Sequence, residues 1–188
     1  MNDFAILNRQ STISRMMLEK GIQTFSEACI WVENLPYERI SDKKNLEMVI
    51  LENRGTCSSK HGLLKRLAEE NKNSEIELCV GIYKMNGHNT FGVGSILSKY
   101  QVEFVPEAHC YLKINNKRYD FTGLGADMAK IEKDLMEEVI IDAEQTGVWK
   151  SKYHKDFLQK WLIEYQLPYS FDVFWQIREL CIERLSKV

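Results

Sequence analysis

Residues 54–64 read RGTCSSKHGLL and place Cys57 at the point where a helix is expected to begin. Gly55 supplies a turn, and the side chain of Thr56 is a suitable N-terminal cap. Leucines then follow at the spacing of one buried helix face. A cysteine here is either a small residue that suits a helix start or a nucleophile, because the helix N-terminus favours the thiolate form.

Residues 107–123, EAHCYLKINNKRYDFTG, predict a β-hairpin whose two-residue turn is formed by the paired asparagines. Asparagine tolerates the positive φ angles that such a turn requires. With this turn His109 lies opposite Thr122, and Tyr111 lies opposite Asp120. Because side chains alternate along a strand, these residues share one face, where His109 and Asp120 are diagonal neighbours. The other face is apolar and comprises Cys110, Leu112, Ile114, Tyr119 and Phe121.

A thiol, an imidazole and a carboxylate are therefore predicted in the chain order Cys57, His109 and Asp120. Such a set can form a nucleophile, a general base and a group that orients the imidazole. A free thiol titrates near pH ~8.5, and a helix N-terminus with a nearby imidazolium lowers that pKa. If the triad is active, we expect Cys57 to be both acidic and exposed.

The remaining elements follow from local patterns of apolar residues and turn residues. Two predicted helices begin at Thr24 and Ser41, and two more cover 152–165 and 171–186. The predicted strands cover 75–83, 102–105 and 137–143. Residues 87–94 indicate an exposed loop, and 137–143 indicate an edge strand. The two C-terminal helices are rich in aromatic and aliphatic residues and show no catalytic pattern.

The bulk composition bounds the class of protein. The chain has 188 residues, of which 44% are hydrophobic and 28% are charged, which is typical of a globular protein with one domain over 1–188. A net charge of −2 argues against nucleic acid as a partner. The apolar stretches are too short for a membrane span, and the first residues lack a signal-peptide pattern, so we expect a cytoplasmic protein without a membrane partner.

The five cysteines are an odd number and contain no C-x-x-C pair, which predicts free thiols in a reducing compartment. Four of them lie in apolar stretches, as Cys79 and Cys181 do, and such buried thiols are usually inert packing residues. Cys57 differs because its neighbours are threonine, serine and glycine.

The stretch from residue 40 to residue 125 resembles the core of the transglutaminase-like superfamily. The matching stretches are residues 53–57, 63–68, 80–83, 108–109 and 120–123. Arylamine N-acetyltransferases share this architecture and a similar Arg-Gly-Gly-x-Cys opening. The resemblance implies an α+β fold with a transglutaminase-like or papain-like core, in which an antiparallel sheet packs on a central helix that opens with Cys57. Extra helices flank this core, and residues 126–188 form a mainly helical C-terminal extension.

The resemblance also implies a role for each member of the triad. Cys57 is the nucleophile, His109 is the general base and acid, and Asp120 orients the imidazole. Attack of Cys57 on an acyl or amide bond gives a thioester, which water, an amine or another nucleophile resolves. The implied partner is a peptide, a protein or a small acyl or amide substrate, and no cofactor is implied. The alternative is a non-catalytic protein-binding module with the same fold; the oligomeric state stays open.

Four further residues are candidates for substrate binding. The amide of Cys57 is the first candidate oxyanion donor, and Asn53 is a candidate for the second. Arg54 either positions an acidic group of the substrate or forms a salt bridge with a neighbouring helix. Tyr111 and Thr122 either line the cleft or belong to a half-exposed face of the sheet.

Two alternatives concern the histidines. His61 lies one helical turn after Cys57 and rivals His109 as the base, but its position towards the helix interior favours packing or a buried hydrogen bond. A zinc site can be assembled from Cys57, His61, His109 and Cys110. Neighbouring strand residues point to opposite faces, so His109 and Cys110 do not easily share one ion, and no metal is predicted.

Overall fold

A computed structural model describes residues 3–125 and 127–185 as an α+β fold around a four-stranded antiparallel sheet. The helices of the described residues are α1 (Thr12–Glu19), α2 (Phe25–Glu33), α3 (Glu47–Glu52), α4 (Cys57–Glu70), α5 (Gly94–Lys99), α6 (Met128–Lys133), α7 (Val148–Glu164) and α8 (Phe171–Leu185). The strands are β1 (Ile76–Met85), β2 (Val105–Ile114), β3 (Lys117–Tyr119) and β4 (Leu135–Ile141). A 3₁₀ turn covers Ala143–Thr146.

The sheet has the order β3-β2-β1-β4, with the two long strands at its centre. The predicted strands at 75–83 and 137–143 correspond to β1 and to β4, which is an edge strand as expected. The short strand predicted at 102–105 is wrong, because β2 begins at Val105 and continues through Pro106. Proline is tolerated at edge-like positions of a strand, and β2 is edge-like there because β3 pairs only with 112–114.

The hairpin of β2 and β3 has the predicted register next to its turn. Leu112 pairs with Tyr119, and Asn115 and Asn116 form the turn with φ angles of 49° and 61°. Positive φ at both residues matches the right-handed twist of the strands that they connect. On the predicted apolar face, Cys110, Leu112 and Ile114 are buried, whereas Tyr119 and Phe121 are only partly buried.

The predicted pairings farther from the turn do not form. β3 ends at Tyr119, so Asp120 does not pair with Tyr111 in the sheet, and Thr122 does not pair with His109. The chain leaves the sheet at Asp120 and turns back towards the start of α4. The proximity of His109 and Asp120 therefore depends on this departing segment rather than on a continued ladder.

Helix α4 packs against β2 and β1 through its leucine face. Leu63, Leu64 and Leu67 are fully buried there. The start of α4 is stabilised locally, because the amide of Thr56 donates a hydrogen bond to Oγ of Ser59 at 3.0 Å. The predicted α+β class and the helix that opens with Cys57 are confirmed.

Two apolar clusters fill the interior, and β1 contributes to both. Val80 and Ile82 belong to the cluster formed with α4 and the N-terminal helices. Tyr83 and Met85 belong to the cluster formed with α7 and α8. The C-terminal helices are therefore packed directly on the sheet that carries His109.

The C-terminal helices lie close to their predicted ranges. The helix predicted at 152–165 corresponds to α7, which begins four residues earlier, and the one predicted at 171–186 corresponds to α8. Residues 1, 2, 126 and 186–188, which the predicted ranges 1–188, 126–188 and 171–186 include, lie outside the described residues. Within 3–125 and 127–185, no helix has the length and apolar character needed to cross a bilayer.

Candidate active site

Cys57 is the first residue of α4, and its thiol is buried rather than exposed. Only 5% of the residue is accessible, which corrects the expectation of an exposed cysteine. The reason is tertiary, because α7 packs beside the start of α4 and covers a position that local sequence leaves open. The thiol faces a cavity instead of the outer surface.

His109 lies on β2 opposite Gly81 of β1, and its ring is held by Asp120. The Nε2 atom of His109 lies 3.1 Å from Oδ2 of Asp120. The side chain of Cys57 is the other group that interacts with the His109 ring. Burial lowers the pKa of His109, but the Asp120 carboxylate and the Cys57 thiolate outweigh it and raise that pKa to about 10.

The pKa of Cys57 lies well below its usual value. A hydrogen bond from the thiol of Cys110 contributes most, and it exceeds the opposing effect of burial. The charge of Lys150 and the hydrogen bond and charge of His109 lower the pKa further. The same contacts hold the pKa of Cys110 well above its usual value, chiefly through burial and then through the Cys57 thiolate. The site therefore favours one thiolate beside one imidazolium.

Lys150 also belongs to the candidate site, although no motif marks it in the sequence. Its Nζ donates a hydrogen bond to Oγ of Ser58 at 2.8 Å and lies 3.6 Å from Sγ of Cys57. It belongs to α7, whose buried face also contains His154 and Leu158. The helical spacing of Lys150 from these buried residues indicates that the lysine is buried too. Because charged side chains are rarely buried without a partner, it also indicates that Lys150 contacts a polar group.

His61 serves as a buried structural residue. Its Nδ1 atom bonds the carbonyl oxygen of Cys57 at 2.8 Å, and its Nε2 atom accepts the amide of Phe121, also at 2.8 Å. Both ring nitrogens are thus occupied by backbone groups, which confirms the predicted buried hydrogen bond. His61 connects the start of α4 to the segment that positions Asp120.

Two of the proposed substrate-binding residues lie away from the thiol. Asn53 has a left-handed backbone with φ of 51°, and its exposed side chain accepts a hydrogen bond from Lys20. Arg54 forms ion pairs with Glu38 and Glu52, which is the salt-bridge alternative. Neither side chain lines the two cavities at Cys57.

The other two candidates lie near His109. Tyr111 is fully buried, and its hydroxyl bonds Glu138 instead of facing a cleft. Thr122 lines a cavity together with His109 and Asp120. Its amide donates to Oδ1 of Asp120 at 2.8 Å, so Thr122 also holds the carboxylate in place.

Two cavities flank the Cys57–His109 pair. The thiol cavity, about 140 Å³ in volume, is lined by Cys57, Ser58 and Lys150 among other residues. The imidazole cavity, about 70 Å³, is lined by His109, Asp120 and Thr122 among others. Tyr37, Glu107 and Ile182 border both cavities. The thiol and the imidazole are thus accessible from two adjoining spaces, and each space is suited to a small group.

Within residues 3–125 and 127–185, no group of three or more histidine, cysteine, aspartate or glutamate side chains is arranged to hold a metal ion. His61 uses both ring nitrogens for backbone contacts, so it has no lone pair left for a metal.

Comparisons of the whole chain with protein-family models, with curated proteins and with solved structures found no match.

Proposed function

We propose that this protein is a cysteine-dependent enzyme that acts on acyl or amide bonds through a thioester on Cys57. The observation that carries the proposal is the contact of a low-pKa thiol at a helix N-terminus with an imidazole, which Asp120 holds at 3.1 Å. Ionised thiols at such positions are nucleophiles, and a carboxylate-held imidazole is suited to move protons.

The chemistry follows from the charges at the site. The Cys57 thiolate attacks a carbonyl carbon, and the imidazolium of His109 protonates the leaving group as the tetrahedral adduct collapses. The resulting thioester is resolved by water, an amine or another nucleophile, from which neutral His109 takes a proton. Asp120 keeps the ring oriented and stabilises its charged form throughout.

The same observations support a transglutaminase-like fold as part of this proposal. The order is a helix that opens with the thiol, a strand with the imidazole and a turn with the carboxylate, all on one antiparallel sheet. The substrate class is a peptide, a protein or a small acyl or amide compound, and no cofactor is required. The five free thiols fit a reducing compartment such as the cytoplasm.

The second candidate is a non-catalytic binding module, and the burial of Cys57 favours it. A thiol with 5% exposure can be a packing residue whose neighbours happen to be polar. The two candidates differ in one measurable property, because a packing thiol resists ionisation and alkylation whereas a nucleophile ionises readily.

The deciding experiment measures alkylation of Cys57 by iodoacetamide from about pH 4 to about pH 10, with the modified site located by mass spectrometry. The proteins compared are the wild type, His109→Ala and the matched control His61→Gln. We expect a midpoint well below the free-thiol value in the wild type and in His61→Gln, and its loss in His109→Ala. An unreactive thiol, or one that is the same in all three proteins, contradicts the proposal and favours the binding module. Equal losses in both histidine variants would reverse the assignment of the base.

A further inference from the structure

The ammonium group of Lys150 is a buried charge that lies beside the proposed triad without belonging to it. The residue is 8% exposed and contacts the start of α4 through Ser58 and Cys57. It is contributed by α7, which lies outside the stretch that resembles a known family core. A buried ammonium is unfavourable unless nearby groups stabilise its charge.

The surroundings of Lys150 keep it charged without a dedicated ion pair. Burial lowers its pKa, but the negative charge of the Cys110–Cys57 pair and that of Glu107 outweigh this effect and raise it. Glu107 is itself held by Arg178 through contacts of 2.6 and 2.7 Å. The direct contacts of the Lys150 ammonium are therefore a hydroxyl and the reactive sulfur.

The position of the Lys150 ammonium suits the stabilisation of negative charge on the carbonyl oxygen of a substrate that Cys57 attacks. When a thiolate adds to a carbonyl carbon, the new oxyanion is bonded to the same carbon as the sulfur. A donor 3.6 Å from Sγ of Cys57 is thus close to the position of that oxygen. The amide of Cys57 is the first N–H of α4, and the first amides of a helix have no carbonyl partner within the helix.

We propose that Nζ of Lys150 is the second oxyanion donor and acts together with the amide of Cys57. This inference rests on the proposed function. The Sγ–C bond forms as the carbonyl π pair moves onto oxygen, and Lys150 donates a hydrogen bond while keeping its proton. On collapse the carbonyl re-forms, the bond to the leaving group breaks, and His109 supplies the proton that the leaving group takes. Lys150 thereby also favours acyl and amide substrates over other electrophiles.

Two reagents that use the same thiolate separate this role from simple activation of Cys57. Iodoacetamide reacts at a saturated carbon and generates no oxyanion, whereas p-nitrophenyl acetate acylates the thiol through one. In Lys150→Met, measured at a pH where Cys57 is fully ionised, we expect alkylation to change by less than about threefold. Acylation should fall by about 100-fold, the usual effect of losing one oxyanion donor.

Equal changes with both reagents would overturn the proposal, because Lys150 would then act only on thiol ionisation. A selective loss of acylation in Tyr37→Phe but not in Lys150→Met would overturn it too, since Tyr37 lines the thiol cavity and its side chain also interacts with Cys57. A wild-type protein that is alkylated at low pH but never acylated would instead refute the proposed function as a whole.

Folding is controlled with matched variants. Lys65→Met removes a half-buried lysine of α4, whose Nζ donates to the carbonyl of Ile76, the first residue of β1, at 2.9 Å. We expect it to leave the ratio of acylation to alkylation unchanged. If Lys150→Met does not fold, Lys150→Gln takes its place, because glutamine retains an N–H donor without the charge. The ratio of acylation to alkylation should then fall, but by less than about 100-fold. An unchanged ratio in a folded Lys150→Gln protein, with Tyr37→Phe reducing it, contradicts the assignment.

Discussion

At the scale of single residues, the thiols of Cys57 and Cys110 have pKa values that are shifted in opposite directions. Cys110 lies on the apolar face of β2, with its sulfur 3.8 Å from Oγ of Ser58. The pKa of Cys110 is raised well above its usual value by burial and by Cys57, whereas the interaction with Cys110 lowers the pKa of Cys57. Two identical functional groups are thus separated in pKa by their surroundings, so one is an acid and the other an acceptor.

Cys110→Ala tests this division of roles. Removal of the S–H donor should raise the pKa of Cys57, because the hydrogen bond from Cys110 is the largest influence that lowers it. The midpoint of the alkylation rate against pH should therefore move upwards, with slower alkylation near neutral pH. Cys79→Ala, which removes another buried thiol, is the control and should leave the midpoint in place. An unmoved midpoint in Cys110→Ala would show that Lys150 and His109 suffice.

Asp120→Asn tests whether Asp120 keeps the imidazole of His109 in its charged form. Asp120 is the main group that raises the pKa of His109, so its loss should lower that pKa from about 10. The charged ring is then lost at a lower pH, and the alkaline limb of the acylation rate should shift towards acid. The rate itself should fall by about 100-fold or more, the usual contribution of positioned proton transfer. Identical alkaline limbs in both proteins would remove Asp120 from the triad.

At the scale of elements, a glycine determines how the Asp120 segment passes α2. Gly123 has φ of 77°, and a Cβ there would lie 2.1 Å from the carbonyl oxygen of Glu33. Gly21 has a similar φ of 81°, but no atom lies within 4 Å of the same position. The two glycines therefore separate backbone strain from steric collision.

Alanine at each glycine should destabilise the protein by different amounts. Gly21→Ala should reduce the free energy of unfolding by about 1 kcal/mol, the cost of a left-handed residue with a side chain. Gly123→Ala adds a collision with backbone and should cost about 3 kcal/mol or more. Urea unfolding measures both values. Similar losses would mean that the Asp120 segment moves away from α2 at little cost.

A buried ion pair connects β2 to α8. Arg178 binds both carboxylate oxygens of Glu107, and both side chains are largely buried. Burial raises the pKa of Glu107, but the charge of Arg178 outweighs it and the pKa is lowered. The contribution of this carboxylate to stability is hence present above the unfolded value of 4.5 and lost as pH falls below it.

Arg178→Met leaves Glu107 buried without its cation and should reduce the free energy of unfolding by about 3 kcal/mol at neutral pH. The double variant Glu107→Gln with Arg178→Met should recover part of this loss, because it leaves no uncompensated charge. Urea unfolding at neutral pH and near pH 3 measures the cycle, with a smaller difference expected in acid. A double variant as unstable as the sum of the single ones would show that the groups act independently.

At the scale of the whole molecule, the shared strand β1 should make the two apolar clusters unfold together. Cys29 lies in the cluster around α4, and Cys181 lies in the cluster around α8. Both thiols are fully or almost fully buried, so each reports on its own cluster. Brief alkylation at increasing urea concentrations, read by mass spectrometry, should show both thiols becoming reactive at one midpoint. Exposure of Cys181 at a lower urea concentration would mean that the C-terminal helices unfold first.

Much of this arrangement could be predicted from local sequence. The helix that opens with Cys57 follows from its turn, cap and leucine spacing, and the register of the hairpin follows from two asparagines. These features are predictable because each depends on residues within one or two turns of chain. The sequence also predicts that His109 and Asp120 lie close together. Strand β3 ends before Asp120, however, so the contact is made by the segment that leaves the sheet.

The identity of the groups around the thiol depends on packing between distant elements. Lys150 is 93 residues from Cys57 in the chain, and helical spacing indicates that it is buried without indicating what it meets. Packing between distant elements also buries the thiol and brings Cys110 close to it. The same packing leaves Asn53 and Arg54 outside the site. Periodicity determines which face of an element is buried, whereas the partner of that face depends on how whole helices pack on the sheet.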